Sequence, residues 1–152
     1  MRHLLLAALA SLVLAGCGEK TEKTGTAAAK PTPSGPAWGS LRVTVNDGAG
    51  HTREASLTCR DRDPTATGFL KDDPGRHCAT ARRLAGFLAA VASPHRVCAQ
   101  VYGGPQTAFV RGRVDELSVG RSFDRENSCG TDDWEDAADL LGGVPRGDAA
   151  GP

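Results

Sequence analysis

The chain has 152 residues, with 18 Lys and Arg balanced by 18 Asp and Glu, and only two Trp, one Tyr and four Phe. That length suits one domain of ordinary size with a modest core. Nothing in this neutral sequence suggests a nucleic-acid partner, which normally demands a basic face.

The chain opens with the parts of an export signal. Arg2 is followed by an apolar run from Leu4 to Leu14, broken only by Ser11. The run is too short to span a bilayer, which takes roughly 20 residues. It ends in Leu14-Ala15-Gly16-Cys17, which resembles the lipobox of bacterial lipoproteins. The resemblance implies that residues 1–16 are a signal peptide and that Cys17 is lipidated. The expected location is the outer face of the bacterial cell membrane. Removing Cys17 from the count of five leaves Cys59, Cys78, Cys98 and Cys129. Four cysteines suit two disulfides in an oxidising compartment, and the sequence alone allows three pairings.

Residues 17–36 are rich in Thr, Lys, Ala, Gly and Pro and hold almost no large apolar side chain, so they predict a disordered tether. The domain is expected over 37–142. Leu41, Val43 and Val45 alternate with polar residues, as on a half-buried strand. Asn46-Asp47-Gly48 supplies turn chemistry. Ala55, Leu57 and Cys59 alternate on a second strand. Residues 60–76, full of Asp, Arg, Pro and Gly, predict an exposed loop. Ala81, Leu84, Phe87, Leu88 and Val91 fall on one helical face, which predicts a helix over about 77–92 with Arg82 and Arg83 on its solvated side.

Val97 to Tyr102 is a short apolar segment. Strands are expected at Thr107 to Val114 and Leu117 to Phe123, with Asp115-Glu116 as the turn. Thr131 is expected to cap a last short helix, with Asp132 and Asp133 in its first turn and Trp134, Ala138 and Leu141 facing the core. Residues 143–152 predict a flexible tail. The whole predicts an α+β domain: a mostly antiparallel sheet of about five strands, one main helix, a short C-terminal helix and two disulfides.

Catalytic and metal chemistry find little footing. His51, His77 and His95 have no metal-site spacing and read as surface histidines. Asp132, Asp133, Glu135 and Asp136 lack calcium-loop spacing and read as a solvated helix terminus. No serine sits in a nucleophile-elbow context. No enzyme activity, cofactor or metal is expected.

The most informative segment is Val97-Cys98-Ala99-Gln100-Val101-Tyr102-Gly103-Gly104-Pro105. It resembles the reactive segment of the Streptomyces-type subtilisin inhibitor family: a Cys two residues before the residue that enters the protease pocket, then Val-Tyr, then a Pro. Leu57-Thr58-Cys59, Cys78 with Leu84-Ala85-Gly86, and Phe123 with Cys129 extend the likeness over about 41–135. The resemblance implies bridges Cys59–Cys78 and Cys98–Cys129. It implies a reactive bond between Gln100 and Val101, with Val97, Cys98, Ala99, Tyr102 and Gly103 contacting the protease. The implied partner is a subtilisin-like or trypsin-like serine protease. Members of the family pair through a sheet face, so a homodimer is an open expectation.

Such a segment, held extended before binding, loses little further entropy on docking. Gln100 departs from the family's usual large apolar or basic pocket residue, and Gly103 and Gly104 are expected to loosen the segment. The second reading is therefore a non-inhibitory surface lipoprotein that uses the fold as a protein-binding module.

Overall fold

The computed structural model describes residues 35–91, 93 and 95–143. The expected signal peptide, Cys17, most of the tether and most of the tail lie outside the described residues.

The fold is α+β, as expected. Five antiparallel strands form one sheet in the order β3-β2-β1-β4-β5. The strands are β1 (Gly39–Asn46), β2 (Thr52–Cys59), β3 (Thr65–Ala66), β4 (Thr107–Val114) and β5 (Leu117–Phe123). Strand alternation decides which face is covered. Leu41, Val43 and Val45 of β1, Leu57 of β2 and Val110 of β4 point to one side and are buried. β1 pairs Val43 with Ala55 on one flank and with Val110 on the other. Helices close over that side, where Leu84, Leu88, Trp134, Leu140 and Leu141 complete the core. Among the described residues no helix covers the opposite face, which carries Ser40, Arg42, Thr44, Phe109, Arg111 and Arg113.

The segment expected to be an exposed loop is more structured than its composition suggests. It contains β3, a short 3-10 turn at Gly68–Leu70, and the start of α1 (Pro74–Arg83). Leu70 in that turn is fully buried. Asp73 caps α1 by accepting from Arg76 N at 3.1 Å, and Pro74 occupies the first turn, where a missing N–H costs nothing. The helix therefore begins three residues earlier than its apolar spacing predicts.

It also ends earlier. α1 stops at Leu84, and a second short helix, α2 (Ala85–Ala89), follows before Ala90 turns extended. Val91 consequently leaves the apolar stripe and is 94% exposed. His77, expected at the surface, is buried on α1. Arg82 is not simply solvated either. Its guanidinium lies 3.6 Å from the Trp38 ring centroid and donates twice to the Asp115 carboxylate, at 3.2 and 3.0 Å. Arg83 is exposed, as expected.

At the C-terminal end, α3 (Ser128–Asp136) starts ahead of Thr131. Asn127 is its cap, accepting from Gly130 N at 3.1 Å. Asn caps a helix as well as Thr does, and here it precedes the first turn that holds Cys129. Asp132 and Asp133 therefore stand in the second turn. α4 (Ala138–Leu141) follows, with Leu140 and Leu141 buried and Ala138 only half-buried.

Both disulfides are present. Cys59–Cys78 ties β2 to α1 and Cys98–Cys129 ties the 97–105 segment to α3, each with a Cα separation of 5.5 Å. The first is buried; the second is half-buried. No described helix is long and apolar enough to cross a membrane.

Candidate functional site

Between α2 and β4 the chain runs through 97–105 without helix or strand. The segment projects large apolar side chains into solvent: Val97 is 99% exposed, Val101 61% and Tyr102 66%. Apolar side chains left this open contribute nothing to the core and are available to a partner. Ala99 and Gln100 are exposed beside them, and Cys98 and Gly103 are half-buried. Val101 N donates to Ala99 O at 2.8 Å, so a three-residue turn is centred on Gln100.

Several contacts pin this segment from below. Ser128 of α3 bonds it twice: its backbone N donates to Ala99 O at 3.0 Å, and its Oγ accepts from Ala99 N at 3.0 Å. Cys98 is covalently joined to the adjacent Cys129. On the far side, Gly103 N donates to Arg125 O at 2.7 Å. The positions tied to the rest of the domain thus bracket Gln100, Val101 and Tyr102.

The root of the segment is held by charge. Arg96 Nη1 donates to both carboxylate oxygens of Asp133, at 2.9 and 2.7 Å. This hydrogen bond raises the Arg96 pKa above its ordinary value, so the guanidinium is charged throughout the working range. Arg121, buried on β5, donates to the same Asp133 at 2.8 Å, and also to Phe87 O and Ala90 O at 3.1 and 3.3 Å. Its guanidinium centre stacks 3.7 Å from the Phe87 ring centroid. Asp133 therefore couples the exposed segment to the core. A cavity of about 210 Å³ lies at this root, lined by Arg96, Cys98, Arg121, Cys129 and Asp133 among others.

The two glycines do not serve as expected. A Cβ on Gly103 would overlap Thr131 Oγ1 and meet Arg125, so the missing side chain lets the backbone lie directly on α3. Gly104 has φ +134°, which other residues rarely adopt. Both glycines are conditions of close docking. Pro105 rests against Gly48 in the β1–β2 turn. Asn46 and Asp47 side chains hold that turn, accepting from Gly48 N and Ala49 N at 2.8 and 2.7 Å. Asp47 also meets His51 Nδ1 at 2.7 Å, a hydrogen bond that lowers the Asp47 pKa.

The structure thus brings Cys98, Ala99, Gln100, Val101, Tyr102 and Gly103 together on one supported, exposed stretch. Arg96, Arg121, Ser128 and Arg125 are additions that sequence reasoning did not single out. Arg96 and Asp133 are 37 positions apart, beyond any local periodicity. Asp133 was expected to belong to a solvated terminus and is instead the shared acceptor of two arginines. Among the described residues, no cluster of three or more His, Cys, Asp or Glu side chains is arranged to hold a metal ion. Compared with known proteins, the chain matches no family model and no curated protein sequence.

Proposed function

We propose that the protein is an extracytoplasmic, lipid-anchored inhibitor of serine proteases. In this reading it presents residues 97–103 as a substrate-like segment, with the bond between Gln100 and Val101 as the reactive bond. One observation carries the reading: the most exposed apolar stretch is also pinned on both sides of Gln100, through Ser128 and Cys129 before it and Arg125 after it. An exposed loop usually keeps its freedom; this one is tied by a disulfide and hydrogen bonds before any partner arrives. Ordering cost is thereby removed from binding. Among the described residues, the backbone groups of Gln100 and Tyr102 make no hydrogen bond and are left to pair with a protease. If the bond is cut, the pins hold the new amine beside the acyl-enzyme, which favours resynthesis over release.

The resemblance to the subtilisin inhibitor family points the same way, through Cys98, Val101 and Tyr102. The polar Gln100 favours the second reading, a protein-binding module without inhibition. An amide buried in an apolar pocket without partners costs about 1–3 kcal/mol. The deciding experiment titrates the mature chain, residues 17–152, against subtilisin-like and trypsin-like enzymes. Stoichiometric inhibition with slow cleavage at Gln100 supports the inhibitor. Rapid cleavage there, or no interaction with any enzyme, moves the binding module ahead.

The location is tested separately. Cys17→Ser is expected to release the protein from membranes or leave residues 1–16 attached. Intact mass showing unmodified Cys17 in the native host would count against the anchor.

A further inference from the structure

The helix-free face of the sheet carries a charge arrangement that the fold does not use. Arg42 of β1 stands directly opposite Arg111 of β4, and Arg113 lies two residues along β4 on the same face. All three are exposed. Among the described residues, none of them makes an ion pair or a side-chain hydrogen bond. Like charges directly opposed across a strand pair disfavour the sheet. By contrast, Arg76, Arg82, Arg96 and Arg121 each reach a carboxylate. On this face the described strands offer one carboxylate, Glu54, which stands opposite Thr44.

The surroundings suit an anionic occupant. A shallow cavity of about 290 Å³ is lined by Arg42 and Arg111 together with Ser40, Ser56 and Thr58. Arginine forks and hydroxyls are the donors that phosphate oxygens accept best. Gly120, opposite Arg111, leaves the approach open. Phe109, two residues from Arg111 on the same face, is 42% exposed and offers a ring of the kind that enters a headgroup layer.

We propose that this face docks against the anionic phospholipid headgroups of the membrane to which the chain is tethered. The proposal takes the occupant from the anchor at Cys17 proposed above. Each basic side chain near an anionic surface contributes about fivefold to binding, so three contribute about 100-fold. That is too little to recruit a free protein and enough to orient a tethered one. Only residues 17–34 separate the proposed anchor from Gly35, the first described residue. A second copy stacked face to face is the poorer occupant. It would bury several unpaired arginines against one another.

The test installs the tether chemically, so it does not depend on acylation in the host. The mature chain is coupled through Cys17, the thiol left outside the two disulfides, to a maleimide lipid in nanodiscs. The discs hold phosphatidylcholine with or without phosphatidylglycerol, plus a lipid-borne spin label. Broadening of amide signals is expected at Arg42, Phe109, Arg111 and Gly120 in the anionic discs only, and to vanish in high salt. Arg42→Gln combined with Arg111→Gln is expected to lower the docked-to-free ratio about 25-fold without lowering Tm. Arg83→Gln is expected to change nothing. Broadening centred on another face, or indifferent to lipid charge, overturns the proposal. So does dimerisation through this face. Equal shifts from free glycerophosphate at the same phosphate concentration would overturn the assignment to a membrane surface.

Discussion

Arg96, at the root of the exposed segment, gives both of its short hydrogen bonds to Asp133 on α3. Asp133 also neutralises Arg121, which is 7% exposed. The two arginines depend on the carboxylate differently, and this separates stability from loop position. Asp133→Ala strands a buried guanidinium and is expected to cost about 3 kcal/mol. Arg96→Ala removes an exposed partner and should hardly change Tm. It should still free the segment's root and speed proteolysis between Gln100 and Val101. Tm and the cleavage rate, measured on both variants, check this; equal Tm losses would show that Arg96 has no separate positioning role.

Gly103→Ala is expected to push the segment off α3, because its Cβ would overlap Thr131 Oγ1. The companion change Thr131→Ala removes that obstruction. Combined, the two should recover much of the loss, since contacting residues couple. Amide exchange at Gly103, whose N–H bonds Arg125 O, reports the docking directly. If Gly103→Ala alone leaves that amide as protected as before, the close approach is not a constraint.

The disulfides are expected to separate by function. Cys59–Cys78 is buried in the core, so its loss should lower stability by about 2–4 kcal/mol and loosen the whole sheet edge. Cys98–Cys129 should cost a similar amount globally. Its removal should weaken protease binding beyond that cost, because it holds the residue two before Gln100. The comparison needs denaturant midpoints and inhibition constants for both double-Ala variants. A purely structural second bridge would leave inhibition intact wherever the domain is still folded.

Gln100 is expected to set the target. Gln100→Met or Gln100→Leu should tighten binding to subtilisin-like enzymes by roughly 10- to 100-fold, from apolar burial of about 1.5–3 kcal/mol. Gln100→Lys should redirect the segment to trypsin-like enzymes, whose pocket holds a buried acid. Gln106, six residues beyond Gln100, has a separate structural role. It accepts from Arg125 at 3.2 Å and lies against Gly104. Identical behaviour of all Gln100 variants against both enzyme classes would falsify the specificity assignment.

Acid should loosen the turn under Pro105. The hydrogen bond from His51 lowers the Asp47 pKa, so its stabilisation is present above the ordinary Asp value, about 3.9. It is lost as pH falls through the lowered folded value. The effect is local and small, because the pair is exposed. NMR shifts of Gly48 and Ala49 followed below pH 5 should show one acid step that Asp47→Asn abolishes.

Much of the fold was legible because its signals are local. Period-two alternation located β1 and β2, and the strands expected at Thr107 to Val114 and Leu117 to Phe123, joined by the Asp115-Glu116 turn, are β4 and β5. The α+β class followed from their order. The exposed apolar segment was legible as well, from a motif of nine contiguous residues. What local signals missed were the places where a competing cap or a distant contact prevailed. Asp73-Pro74 started α1 early, and Asn127 took the cap expected of Thr131. Val91 obeys the helical spacing, yet the helix ends before it at Ala89. The pairing of the cysteines was open to composition alone, because only the fold brings Cys98 beside Cys129. Tertiary structure decided the support of the segment too. Asp133 reads as one acid among four in the sequence. Only the packing of α3 against β5 and the chain after α2 makes it the acceptor that Arg96 and Arg121 share, since hydrogen bonds between residues this far apart leave no periodic trace.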